Sequence, residues 1–317
     1  MNLTILLAYC LLAIGQVAIG VNVVAGKFLI ETVPIHVYLC GRFMASAFFL
    51  AILLLVLRES ILIRNDNTNR LDKRDWLFLT LQAFTGGFLF NVMFYWGIQY
   101  TTAISAGIIS SVLPVIIALC ACWFLNEKLN KWKYLGIAFA VMGILIISLD
   151  NHHGSEHATG SYIGDFVILL SMVPEALYSI FNKFTNHKVT PLGGAFIVNV
   201  MIFLMLLPLG AFEYFTYDLS QILVSHWALL LLTGFASLFF FWFWSRGLLH
   251  VSASTAAIFT SFLPVSTTLM AWGFLHETFG LYDGLGMFFV LLSIIVGTGW
   301  LPKLLKKYKK QSLSVSS

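Results

Sequence analysis

The chain has 317 residues, 59% of them hydrophobic and only 10% charged, with a formal net charge of +4 and a mean hydropathy of +0.90. Apolar runs on this scale exclude a soluble domain and require membrane spans. The one dense basic run, at 303–310, sits on a tail that nothing folded carries, so it points to anionic lipid and not to nucleic acid.

Taken in order, spans are expected near 4–25, 35–57, 75–97, 102–125, 131–150, 161–184, 191–213, 226–248, 253–275 and 281–301. Each is close to the ~20 residues needed to cross a ~30 Å hydrocarbon core. The first run lacks a basic leader and a clear cleavage site, so it reads as a retained span. The expected fold is an all-α membrane protein with ten transmembrane helices. Cys10, Cys40, Cys120 and Cys122 lie within apolar runs and read as small core hydrophobes. Cys120 and Cys122, two apart, do not share a helix face and make poor metal or redox partners.

Sixteen of the 18 basic residues fall on one side of this topology, leaving Lys27 on the other and Arg42 inside a span. The positive-inside rule then puts both termini in the cytoplasm.

The stretch 97–127 recurs at 247–277 under a shift of 150, with 13 of 31 positions identical. Chance would give roughly two or three, so the chain contains an internal repeat. The expected units are a first five-helix half at 1–150, a second at 151–301 and a basic tail at 302–317. With five spans in each, the halves must cross the membrane in opposite senses. Such inverted repeats are typical of secondary transporters, with substrate held near the midplane between the halves. Each copy carries a mid-helix proline, Pro114 or Pro264. Proline displaces the carbonyl four residues back, here that of Ser110 or Thr260, and a freed carbonyl in a bilayer needs protein or a water-filled cavity as partner. Ser110, Ser111, Thr260 and Ser261 are therefore candidate cavity hydroxyls, with helix packing alone as the plainer reading.

Polar groups inside spans are costly and default to functional candidates. In span 6, Ser171, Glu175, Tyr178 and Asn182 share one helical face, and Glu175 lies ~21 Å below the helix start at 1.5 Å per residue. Glu175 is a candidate for proton coupling or cation binding, against a structural carboxyl bonded to a neighbouring helix. A shift of 156 matches this face to Gly15, Ile19, Asn22 and Gly26 of span 1, and Lys183 to Lys27. Gln16 is the other deep polar residue of span 1. Asn91 and Tyr95 share a face of span 3 with Gly87. In span 8, Ser237, Phe241 and Ser245 correspond, with Trp242 and Trp244 nearby. Arg42, ~10 Å inside span 2, offers a bidentate site for a carboxylate, although snorkelling or pairing with Glu31 stays equally open.

Glu127 and Glu277 close their helices, either as residues bonding the next loop or as a gating ion pair. His152, His153 and His157 crowd a loop with Asp150 and Glu156 but without ligand spacing, so a solvated loop is favoured over a metal site. No nucleophile motif or phosphate loop occurs in the spans, and neither enzyme activity nor a cofactor is expected.

Leu113-Pro114 followed by Phe124-Leu125-Asn126-Glu127, and Leu263-Pro264 followed by Phe274-Leu275-His276-Glu277, resemble the drug/metabolite transporter superfamily in its EamA-like branch. The resemblance implies a central cavity lined by helices 1, 3, 4, 6, 8 and 9. It also implies transport of amino acids or related small metabolites, most often outward, in a bacterial inner membrane. The leading expectation is a secondary transporter of that kind working by alternating access, with proton coupling as an option. Alternatives are an exporter of cationic or aromatic drugs and a non-transporting membrane scaffold. The expected partners are a small-molecule substrate and the lipid bilayer; the oligomeric state is left open, a monomer included.

Overall fold

The computed structural model describes residues 3–63, 71–126, 131–148, 158–185, 188–217, 220, 222–260, 262–276 and 280–297. Glu127, Glu277, Ser261, the loop histidines with Asp150 and Glu156, and the basic tail lie outside these residues, as does the side chain of Ser111.

Among the described residues the regular elements are all helical, apart from one isolated β-bridge, Leu62 to Val189. The helices are α1 (Leu3–Leu29), α2 (Ile35–Leu57), α3 (Lys73–Gln82), α4 (Phe90–Ile98), α5 (Ala103–Ile109), α6 (Leu113–Leu125), α7 (Lys131–Ser148), α8 (Ala158–Thr185), α9 (Pro191–Thr216), α10 (Val224–Leu248), α11 (Ala253–Phe259), α12 (Phe262–Phe274) and α13 (Leu281–Gly297). A π-helical stretch, Ala83–Leu89, joins α3 to α4, and a 3₁₀ turn, Ser110–Val112, joins α5 to α6. By length and composition, seven helical stretches among the described residues can cross a membrane: Leu3–Leu29, Ile35–Leu57, Lys73–Ile98, Tyr162–Thr185, Pro191–Thr216, Val224–Leu248 and Thr255–Phe274. Leu113–Leu125, Tyr134–Gly143 and Gly284–Ser293 are shorter apolar helices.

The broad interfaces join the first half of the chain to the second. α1 lies along α10, α2 along α9, α4 along α8 and α7 along α13. Helix termini collect at two ends of this bundle. At one end Lys188 reaches Asp72 and Asp75, and Thr190 bonds the chain at Ser60 and Ile61. At the other end Glu213 of α9 accepts from the backbone N–H groups of His36 and Val37, the first turn of α2. A carboxylate there meets both the unpaired amides and the positive end of the helix dipole. The end that carries Arg58, Lys188 and Arg246 is called the basic end below.

Both prolines divide their helix, but the broken backbone closes on itself. Leu113 N–H bonds the carbonyl of Ser110, and Leu263 N–H bonds that of Thr260. Ser110 Oγ donates to Ala106 O at 2.7 Å and Thr260 Oγ1 to Ala257 O at 2.6 Å. A tightened 3₁₀-type turn supplies the partner that the sequence argument sought in a cavity. Both copies then end alike, with Asn126 at φ 52° and His276 at φ 54°. A left-handed residue closes many helices, and asparagine and histidine tolerate it better than branched side chains do.

The π-helical stretch is one extra residue. Beyond it, α4 matches α10 at a shift of 150, as Gly97 and Gly247 show. Before it the shift is 151: Trp76 falls on Trp227, and the bond Asp72 N–H to Asp75 recurs as Leu223 N–H to His226. A single inserted residue is the usual origin of such a turn.

Candidate functional site

The π-helical stretch sets up the polar centre. Widening the helix leaves carbonyls off the regular ladder, and Asn91 Nδ2 donates to two of them, Gly86 O at 3.1 Å and Gly87 O at 2.7 Å. That fixes the Asn91 amide with its oxygen outward, where it accepts from Arg42 Nη2. Arg42 Nη1 donates to Tyr95 OH at 3.2 Å and Tyr38 OH at 3.5 Å, and the guanidinium lies 4.5 Å from the Phe43 ring centre. Tyr38 and Arg42 are one turn apart on α2, so both reach the same point. Tyr95 OH in turn donates to Asn22 O at 2.7 Å.

Arg42 is 4% exposed, so snorkelling is excluded, and Glu31 is solvent-facing and not its partner. The guanidinium partners are all neutral, and Nε–H has none among the described residues. Glu175 of α8 lines the same cavity, 9% exposed, with no hydrogen bond to its carboxyl among the described residues. The charge that acts on it is Arg42. A guanidinium and a carboxyl thus face a shared space without a direct bond.

A cavity of about 40 Å³ lies between the surrounding side chains. Gln16, Asn22, Arg42, Asn91, Tyr95, Glu175 and Phe241 all line it, as expected from sequence. Phe90, Phe94, Phe240, Met172, Leu113 and Leu263 supply apolar wall, and Ser237 bonds Asn22 Nδ2 at 3.0 Å. A few convergent polar groups in an apolar wall are the usual make-up of a small-molecule site. A recess of about 440 Å³ between α1, α10 and α12 is lined by apolar side chains, Val24, Phe28, Leu232 and Met270 among them, and offers nothing to orient a polar solute.

Several expected site residues lie elsewhere. Ser110 and Thr260 are buried and bonded to their own helices, and the leucines before each proline face the cavity instead. Trp242 is half-buried and off the cavity wall, where Phe240 stands. Ser171 donates to Ile168 O at 2.7 Å. Tyr178, Asn182 and Ser245 belong to a second polar cluster nearer the basic end. Asn182 Nδ2 donates to Ser245 Oγ at 3.1 Å and Gln82 Oε1 at 3.2 Å, and Gln82 Nε2 to Thr185 Oγ1 at 2.9 Å. Of the cysteines read as core, Cys40 and Cys120 are half-buried and pack against it, Cys122 is half-buried and Cys10 is exposed. Span 2 contributes to the cavity through Arg42, beyond the helices implied by resemblance. Gln82 and Tyr38 were missed by sequence reading, although the Tyr38–Arg42 spacing of one turn was a usable signal.

An all-helical, membrane-spanning bundle around a charged, enclosed hollow defines the class as a multi-pass membrane transporter. The chain belongs to the EamA-like transporter family, which matches it twice, at residues 6–149 and 162–298. It is 30% identical over 290 residues to "Uncharacterized transporter YetK" of Bacillus subtilis (strain 168), covering 91% of this chain and 86% of that one. It is 25% identical over 215 residues to "Uncharacterized transporter YyaM" of the same organism, covering 68% and 70%. A solved crystal structure superposes with a TM-score of 0.70 at 14% identity, over 93% of this chain and 98% of that one, a likeness of fold alone.

Proposed function

We propose that the protein is a secondary transporter for amino acids or related zwitterionic metabolites, working by alternating access. The observation that carries this is the arrangement of Arg42 and Glu175. Arg42 Nε–H is buried without a partner, and the Glu175 carboxyl opposite makes no hydrogen bond. A substrate carboxylate satisfies the guanidinium and a substrate ammonium meets Glu175. Each charge then gains the partner that burial demands. Asn91 and Tyr95 hold Arg42 in place, and the phenylalanines take the apolar remainder. Without substrate, Glu175 is free to take up a proton, which gives the cycle a coupling step.

The architecture that supports alternating access is ten spans in two inverted halves, 1–150 and 151–301, with both termini in the cytoplasm of a bacterial inner membrane. Helix pairs that join the halves are related by the repeat: α1 with α10 answers to α8 with α4. Outward movement is the favoured direction. A cationic-drug exporter fits less well, because Arg42 presents its charge to the same cavity.

The test is flux in proteoliposomes with a panel of radiolabelled amino acids, each beside its decarboxylated amine and its deaminated acid. Zwitterions are expected to move at least tenfold faster than either singly charged analogue, since a buried hydrogen-bonding site rejects a ligand that leaves it unpaired. Glu175→Gln is expected to lose most of this flux and to flatten its pH profile. Equal flux of amine and zwitterion sinks the reading.

A further inference from the structure

The seam between α3 and α8 at the basic end has a counterpart at the other end, between α10 and α1, and the two are packed differently. With the shifts of 151 before the π-helical stretch and 156 between α1 and α8, Phe78 answers to Leu229 and Gln82 to Thr233. Phe181 answers to Ala25, Asn182 to Gly26 and Phe184 to Phe28.

At the basic end the seam is filled and bolted. Phe78 stacks on Phe184 with ring centres 4.8 Å apart and lies 6.1 Å from Phe181. Gln82, 1% exposed, comes from the first half of the chain and bonds three groups of the second: Asn182 Nδ2 donates to its oxygen, while its Nε2 donates to Thr185 Oγ1 and to Phe181 O at 3.4 Å. At the other end Ala25 and Gly26 replace the phenylalanine and the asparagine. Thr233 Oγ1 turns back onto Leu230 O at 2.7 Å and, among the described residues, bonds nothing across the seam. The apolar recess of about 440 Å³ opens there, beside Ala25 and Leu229.

We propose that the α3–α8 seam is the gate between the central cavity and the basic face, with Gln82 as its bolt, and that the structure is the state closed on that side. The placement follows from the helices. Asn182 and Gln82 lie between Glu175 and the surface that carries Lys188 and Asp72, so the seam is the cavity's floor towards that face. The bolt suits a gate because water can replace each of its side-chain hydrogen bonds when the seam parts, and such bonds are worth little net against water. Asn182 Oδ1, buried and without a partner among the described residues, gains one on opening. The stacked phenylalanines seal the closed state against leakage. This rests on the reading of the protein as an alternating-access transporter and adds the place where one side opens.

The experiment uses the full chain with Cys10, Cys40, Cys120 and Cys122 replaced by serine and one reporter cysteine in the cavity wall, Met172→Cys. A membrane-impermeant maleimide is applied to vesicles from the basic face or from the opposite face. Adding Gln82→Ala is expected to raise labelling from the basic face roughly threefold to tenfold, the weight of one or two side-chain hydrogen bonds. In a second variant, Phe78→Cys with Phe184→Cys, a short bifunctional thiosulfonate spans the seam. It is expected to abolish labelling of the reporter from the basic face, leave labelling from the other face, and release the block on reduction. Unchanged basic-face labelling with Gln82→Ala, or continued labelling after the cross-link, overturns the gate. The readout is access and not substrate flux, so the gate can fail while amino-acid transport stands, and the reverse.

Discussion

Helices α1 and α8 hold matched places in the two halves, alike at their ends and unlike in their middles. Lys27 Nζ donates to Ile98 O at 2.7 Å and Thr101 O at 2.8 Å; Lys183 Nζ donates to Leu248 O at 2.6 Å and Val251 O at 2.5 Å. The lysines correspond, and so do the carbonyls. Both stand where one long helix ends and the next begins, leaving backbone oxygens without intrahelical partners near the bilayer, so both halves need the same cation. Two turns further in, Ile19 of α1 faces the cavity where α8 presents Glu175. Backbone satisfaction is owed at every helix end and keeps the halves symmetrical. The cavity carries no such obligation, and there the two halves depart from the repeat.

The largest effect is expected from removing the one cation of the cavity. Arg42→Ala leaves Asn91 Oδ1 without its donor, removes one donor from Tyr95 OH and takes the neighbouring cation from Glu175 in a buried space. Breaking a buried charge arrangement from one side costs about 3–5 kcal/mol, or a loss of ~10²–10⁴ in substrate affinity. Calorimetric titration of detergent-purified protein with the best substrate checks this. Arg42→Lys keeps the charge but not the fork, and is expected to recover only part of the affinity.

The symmetrical device makes a sharper comparison. Lys27→Met and Lys183→Met each leave two carbonyls without their charged donor, and each is expected to cost ~1.5–3 kcal/mol of stability. The two losses should agree within about 0.5 kcal/mol and add in the double variant, since the sites are remote from each other. Thermal unfolding in one detergent measures all three. Unequal losses would mean that the two ends are less alike than their geometry.

How far these regions could be read in advance follows the same division. The repeat, the membrane class and the breaks at Pro114 and Pro264 were legible, because identity at a fixed shift and proline chemistry are local properties. Asn22, Arg42, Asn91, Tyr95 and Glu175 were legible as polar residues in apolar runs, and packing brought them to one cavity. Ser110 and Thr260 were misread because a 3₁₀ turn inside the chain satisfies what proline frees. Gln82 went unnoticed, since its meaning depends on Asn182 a hundred positions away. The one-residue slip of the π-helical stretch was hidden within a repeat matched only at its better half.

A smaller effect separates the two answers to position 26. A Cβ on Gly26 would lie 2.3 Å from Tyr95 Cε1 and 2.8 Å from Tyr38 OH. Gly26→Ala therefore pushes Tyr95 off Arg42, at about 1–3 kcal/mol for an overpacked core. The matched change, Asn182→Ala, removes bonds to Ser245 and Gln82 instead, at ~1 kcal/mol. Substrate affinity is expected to fall with the first and hold with the second, because only Gly26 abuts the residues that fix Arg42. Loss of affinity in both would place Asn182 at the substrate after all.

The smallest effect concerns Lys188, whose ammonium lies 3.0 Å from both Asp72 oxygens and 2.7 Å from Asp75 Oδ2 at the basic end. Its hydrogen bond with Asp75 and the Lys188 cation together hold the Asp72 carboxyl down at about 2, and the two carboxylates raise the Lys188 ammonium above its ordinary 10.5. Asp72 contributes fully above its ordinary 3.8 and loses that contribution as pH falls towards about 2. Lys188 contributes fully below 10.5 and loses it as pH rises beyond. Between those limits neither group changes charge. Lys188→Met is therefore expected to lower the unfolding temperature slightly and by a constant amount from pH 5 to 9, less at high salt because Asp72 is exposed. Flux through Lys188→Met should keep the wild-type pH profile across that range. A profile that moved with this substitution would take the proposed proton coupling away from Glu175 and place it at the loop contact at the basic end.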